Sequence, residues 1–114
     1  MLTIEGLKAF GANTDEGMAR CLNREDFYLR LVKTVPGEGN FQKLADAVAS
    51  GDLNAGFEAA HSLKGVLSNL SLTPIAQPVS EMTELLRTRT QTDYSALLAE
   101  VLKQRDALKA LCEE

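Results

Sequence analysis

Residues 53–70 read LNAGFEAAHSLKGVLSNL. Turned at about 100° per residue, Leu53, Gly56, Phe57, Ala60, Leu63, Leu67 and Leu70 gather on one broad apolar side. Glu58, His61, Gly65 and Ser68 fall on the opposite, polar side. An apolar side kept up over such a length predicts a long amphipathic helix whose inner face needs other helices to cover it. Lys64 lies at the boundary, where its stem packs and its ammonium reaches solvent beside His61. The two are i and i+3, hence surface neighbours.

The flanks supply the covering helices. Upstream, Gly51 reads as a residue just past a helix end and Asp52 as the next N-cap, so two helices meet with hardly any loop. Such a connection makes them antiparallel neighbours. The preceding helix has Asn40 as its expected cap, with Phe41, Leu44, Ala45 and Val48 at i, i+3, i+4 and i+7. Before it, Asn23 is expected to cap a helix with Glu25 and Asp26 near its positive end. Phe27, Tyr28, Leu31, Val32 and Val35 form its inward stripe, and Pro36-Gly37 stops it. The opening piece, Leu2 to Leu22, is broken by Gly11 and Asn13 into two short helices.

Downstream, Thr73-Pro74 predicts a cap-then-Pro start, with Pro78 delaying or kinking the first turn. A last helix follows Thr92, with Leu97, Leu98, Val101, Leu102, Leu108 and Leu111 inward. No alternating run or Asn-Gly or Asp-Gly turn signals a strand. No repeat or linker divides the chain. The expected fold is all-α: an up-down-up-down four-helix bundle with additional short N-terminal helices, in a single domain over 1–114.

Composition narrows the function classes. Of 114 residues, 45% are hydrophobic, which excludes disorder, and 8 Gly, 3 Pro and 2 Cys exclude a collagenous or disulfide-dense scaffold. The formal net charge of -4, with no basic run, argues against nucleic acid. No stretch approaches the roughly 20 apolar residues of a membrane span. Glu5 and Lys8 interrupt any signal-peptide core. Cys21 and Cys112 match no metal spacing and are expected to be reduced, buried thiols. The chain reads as cytoplasmic.

His61 is the only histidine. Gly65, one turn further along the same face, costs about 0.5–1 kcal/mol in a helix interior relative to Ala. Helical side chains lean toward the N-terminus, so a large residue at 65 would lean over the imidazole. Glycine clears that space, although a close helix–helix contact is an alternative reason for it. A neutral imidazole is a nucleophile that accepts a phosphoryl group on a ring nitrogen. Lys64 would attract the phosphoryl oxygens. Phosphoryl transfer needs chiefly positioning and charge stabilisation, so few groups suffice when a partner brings a metal and carboxylates.

Ala60-His61-Ser62-Leu63-Lys64-Gly65, followed by Leu67, Asn69 and Leu70, resembles the signature of histidine-containing phosphotransfer (HPt) domains. Ile4 to Asn13 and Phe27 to Leu31 are similar to the way such domains begin. The resemblance implies a helical bundle that relays phosphoryl groups between receiver aspartates, with His61 phosphorylated, Lys64 facing the phosphate and Gly65 giving access. Family members frequently carry Gly where this chain has Ser68 and Ser71. A Gln on the next helix often faces the histidine, and a gap-free count places Thr83 there.

Competing chemistries are poorer. Glu58-x-x-His61 has the spacing of di-iron bundles, but a second such pair is missing from the sequence. Hydrolytic catalysis would leave the sole histidine without an oriented base or oxyanion site. The expected function is that of a phosphorelay intermediate which accepts a phosphoryl group on His61 from a receiver aspartate and passes it to another receiver. The alternative is a non-phosphorylated adaptor that binds receiver domains or other signalling proteins. Without a Gly-rich phosphate loop it is not expected to be a kinase. It is expected to need no cofactor of its own, with Mg²⁺ held by the partner receiver domain. Docking is expected around Glu58, His61, Lys64 and Ser68. Expected partners are response-regulator receiver domains and a hybrid sensor histidine kinase, met by a monomer. The chain reads as a stand-alone shuttle or equally as an excised piece of a larger hybrid kinase, with Met1 leaning toward the first.

Overall fold

Thr3 opens the first helix: its Oγ1 accepts the Gly6 N–H at 3.0 Å, which satisfies one of the unpaired donors of a helix start. The structure, a computed structural model, describes residues 1–113. Among them are α1 (Ile4–Phe10), α2 (Thr14–Arg20), α3 (Glu25–Thr34), α4 (Asn40–Ser50), α5 (Leu53–Asn69), α6 (Thr73–Arg87) and α7 (Ser95–Glu113). A 3₁₀ turn over Val35–Gly37 links α3 to α4, and no strand occurs among the described residues.

Several expected boundaries hold. Gly11 ends α1 at φ 111°, and Asn13 Oδ1 caps α2 by accepting the Glu16 N–H. Gly51 ends α4 at φ 74°, where a residue lacking Cβ is unstrained, and Asp52 Oδ1 accepts the Ala55 N–H at 3.0 Å. Pro36-Gly37 closes α3 through the 3₁₀ turn.

Others are corrected. Asn23 is not a cap: it follows Leu22 in a pair of left-handed residues (φ 55° and 59°), and α3 starts one residue later, after Arg24. Asparagine serves caps and left-handed turns alike, so its identity does not separate the two. Asn40 is already the first residue of α4, and the Glu38 carboxylate accepts its N–H instead. Thr73 and Pro74 lie inside the first turn of α6, which begins after Leu72. Pro78 sits buried within α6 and does not delay its start. At α7, Asp93 Oδ1 accepts the Ser95 N–H.

The helices form a bundle in which α5 packs on α4 and α6, α6 on α7, and α7 also meets α4 and α1. Its fully buried side chains include Phe41, Leu44, Leu63, Leu67, Met82 and Leu108. Burial of each such side chain contributes about 1.5–3 kcal/mol. In α4 it is Ala47, rather than Ala45, that is buried. At Gly56 a Cβ would stand 3.2 Å from a Leu86 methyl and 3.7 Å from Ala47 Cβ, so this glycine lets α5 approach α6 and α4. The N-terminal helices close one end of the bundle through Tyr28, whose buried hydroxyl donates to the Leu70 carbonyl at 2.9 Å. Both cysteines are free, Cys21 buried and Cys112 half-buried. No helix among the described residues is long and apolar enough to cross a membrane.

Candidate functional site

The outer face of α5 displays His61 because its inner face is taken by Ala60, Leu63 and Leu67. The imidazole is exposed and lies against the ring of Phe57 one turn earlier, with centroids 5.5 Å apart and planes 18° from parallel. That is the direction in which helical side chains lean.

One turn on the other side, a Cβ built at Gly65 meets no heavy atom within 4 Å. The close helix–helix contact that could have explained this glycine is therefore absent. Gly65 leaves open surface rather than room for a neighbour. Lys64 is half-buried at the edge of this face, and its Nζ lies 3.6 Å from Glu84 Oε2 of α6. Arg87 donates to the same oxygen from Nη2 and Nε at 3.3 and 3.4 Å. The Arg87 guanidinium first, and Lys64 to a lesser degree, hold the Glu84 carboxyl below the usual carboxylate range.

His61, Lys64, Gly65 and Ser68 line one shallow concavity, so four of the six candidate residues come together. Ser68 continues into a neighbouring depression shared with Asn13, Glu16, Arg20 and Ser71. There the Arg20 guanidinium donates to the Ser68 carbonyl at 2.9 Å and to Ser71 Oγ at 2.7 Å. Glu58 is exposed but faces a separate groove between α4 and α5 with Lys43, Asp46, Asp52 and Ser62.

Thr83 does not face the histidine. It is fully buried on the inner side of α6, with its hydroxyl donating to the Val79 carbonyl at 2.7 Å and no hydrogen bond to His61. The residues of α6 that reach the site are Glu84 and Arg87, one and four positions further on. The sequence reading also missed Phe57 as a neighbour of the imidazole, having counted it only as core. Its i, i−4 spacing from His61 was the available signal. No comparable signal exists for Glu84, because pairing between helices depends on their rotation.

No group of three or more His, Cys, Asp or Glu side chains converges to hold a metal among the described residues. The arrangement is suited to nucleophilic work by a solitary exposed imidazole, walled by an aromatic ring on one side, open on the other, with a cation one turn away.

Compared with known proteins, residues 37–114 match the Hpt domain family. No curated protein and no solved structure matches. The matched segment runs from the end of the 3₁₀ turn through α7 and contains the whole of the His61 face. A match over most of the chain, across the helices that carry the solitary histidine, shows that the chain belongs to the Hpt domain family, the helical phosphotransfer intermediates of two-component phosphorelays.

Proposed function

We propose that His61 accepts a phosphoryl group from the aspartyl phosphate of one receiver domain and passes it to the aspartate of another. The unprotonated ring nitrogen attacks phosphorus and the acyl-phosphate P–O bond breaks. This leaves a carboxylate on the donor and an N–P bond on the imidazole; the second transfer reverses these bond changes on the next receiver. Exposed His61, opening on the same concavity as Lys64 and Gly65, is the observation that carries this reading. Lys64 neutralises part of the arriving charge and Gly65 admits the donor. Glu58 and Ser68 extend the docking face. Mg²⁺ would be held by the receiver's carboxylates.

The bundle reads as up-down-up-down through α4 to α7, supported by the two-residue joint between α4 and α5 and by contacts between successive helices. We take 1–114 as one Hpt domain, with α1 to α3 as its N-terminal cover, acting as a monomer.

The test incubates the protein and a His61→Gln variant with a phosphorylated receiver domain and Mg²⁺. An acid-labile, alkali-stable phosphoryl adduct, seen by intact mass on the wild type alone, is the expected result. Binding without an adduct, across several receivers, would replace the relay with an adaptor. His61→Gln is expected to keep its helical content, since the side chain is exposed.

A further inference from the structure

Three side chains surround the half-buried ring of Phe57. His61 stacks on it, and the guanidinium carbons of Arg87 and Arg89 each stand 5.1 Å from its centroid. Arg89 is itself held at three points: its Nε donates to Asn54 Oδ1 at 2.6 Å, and its Nη1 donates to the carbonyls of Leu86 at 2.7 Å and Arg87 at 3.1 Å. It occupies a left-handed backbone position, φ 55°, just past the end of α6. Asn54 belongs to the first turn of α5, so this one arginine ties the end of α6 to the start of α5 across Phe57. Cations are attracted to the ring by its quadrupole.

From this we infer that Phe57 is a positioning residue for phosphoryl transfer: clamped by Arg87 and Arg89, it fixes the plane of the His61 imidazole so that the ring stays on its own turn and leaves the Gly65 side clear. The inference rests on the phosphotransfer reading of His61 and adds to it what orients the nucleophile. An imidazole on an exposed helix face otherwise samples several rotamers, and only some of them point a ring nitrogen at an in-line donor. Thr83, buried and bonded to Val79, cannot serve this purpose. Phe57 acts through packing and touches no phosphoryl oxygen in this role.

The chain has a single histidine, so its ring-proton resonances are unambiguous in an NMR spectrum. The experiment compares wild type with Phe57→Leu, which keeps an apolar side chain for the core, and Phe57→Tyr, which keeps an aromatic ring. The wild-type imidazole protons are expected upfield of a free imidazole through the ring current of Phe57. Phe57→Leu should lose that shift and accept phosphate from a phosphorylated receiver roughly 3- to 10-fold more slowly, while Phe57→Tyr restores most of both.

Arg89→Ala loosens the clamp without touching the core, and a reduced ring shift with slower acceptance is expected there even if Phe57→Leu folds poorly. Unchanged ring shifts in Phe57→Leu and Arg89→Ala would overturn the stacking. Unchanged acceptance rates with altered shifts would overturn the positioning role alone. No adduct on the wild type would remove the phosphotransfer reading, and this role with it.

Discussion

Lys64 Nζ lies 3.6 Å from Glu84 Oε2, which ties the cation beside the histidine to the neighbouring helix. On the proposed function, an arriving phosphoryl group, carrying close to two negative charges, would compete with this carboxylate for the ammonium. Glu84→Gln is expected to free Lys64 and raise the rate of phosphate acceptance a few-fold. Lys64→Ala should slow acceptance without abolishing it, and the double variant should behave like Lys64→Ala. Single-turnover transfer from a phosphorylated receiver measures all three. Because the Glu84 carboxyl is held below its ordinary value of 4.5, the pair persists above that pH and is lost as pH falls through the depressed value. The gain from Glu84→Gln should therefore shrink in acid.

At Gly65 two assays should move in opposite directions. A Cβ there meets nothing, so Gly65→Ala is expected to stabilise the protein by about 0.5–1 kcal/mol through helix propensity. Gly65→Gln should retain part of that gain in urea denaturation while slowing phosphotransfer by crowding the imidazole. Normal relay by Gly65→Gln would show that the open surface has no part in access.

Ser71 sits at φ 54°, where side chains are strained, yet its hydroxyl accepts from Arg20 and donates to Glu16 Oε1 at 3.1 Å. Glycine would be unstrained in this backbone conformation, and this chain offsets the strain of a serine with hydrogen bonds. Ser71→Gly should be close to neutral, whereas Ser71→Ala keeps the strain, loses both bonds and should destabilise by about 1 kcal/mol. Chemical denaturation of the pair separates the two contributions.

Burial pushes the Tyr28 hydroxyl up to about 12. A raised value means that the folded state holds this proton more tightly than the unfolded chain does. The associated stability is complete below the ordinary value of 10.0 and is lost as pH rises from there through about 12. Tyr28→Phe should remove that alkaline dependence, and at neutral pH it should cost about 1–3 kcal/mol by leaving the Leu70 carbonyl unpaired. Thermal unfolding at a series of pH values checks both.

Much of this architecture can be read from one chain because its signals are local. The Gly51-Asp52 joint, the break at Gly11 and the stripe of α5 each depend on residues within a turn or two of one another. The positions of His61, Lys64, Gly65 and Ser68 follow from α5 alone. What the sequence does not contain is the rotation of α6 against α5. The gap-free count from the family resemblance placed Thr83 at the site, where packing instead puts Glu84 and Arg87. Asn23 and Asn40 failed as caps for a different reason: asparagine is at home in caps, turns and first helical positions, and the choice among them is made by neighbours such as Glu38.

The two-residue joint between α4 and α5 also bears on how quickly the molecule assembles. Helices that follow one another in the chain pack on one another here, so the loops closed during folding of α4 to α6 are short and cost little entropy. Chains dominated by such near-neighbour contacts fold in microseconds to milliseconds. The hydrogen bond from Tyr28 to Leu70 spans 42 positions and can form only after α5 is in place. The N-terminal helices are accordingly expected to dock after α4 to α7 have packed.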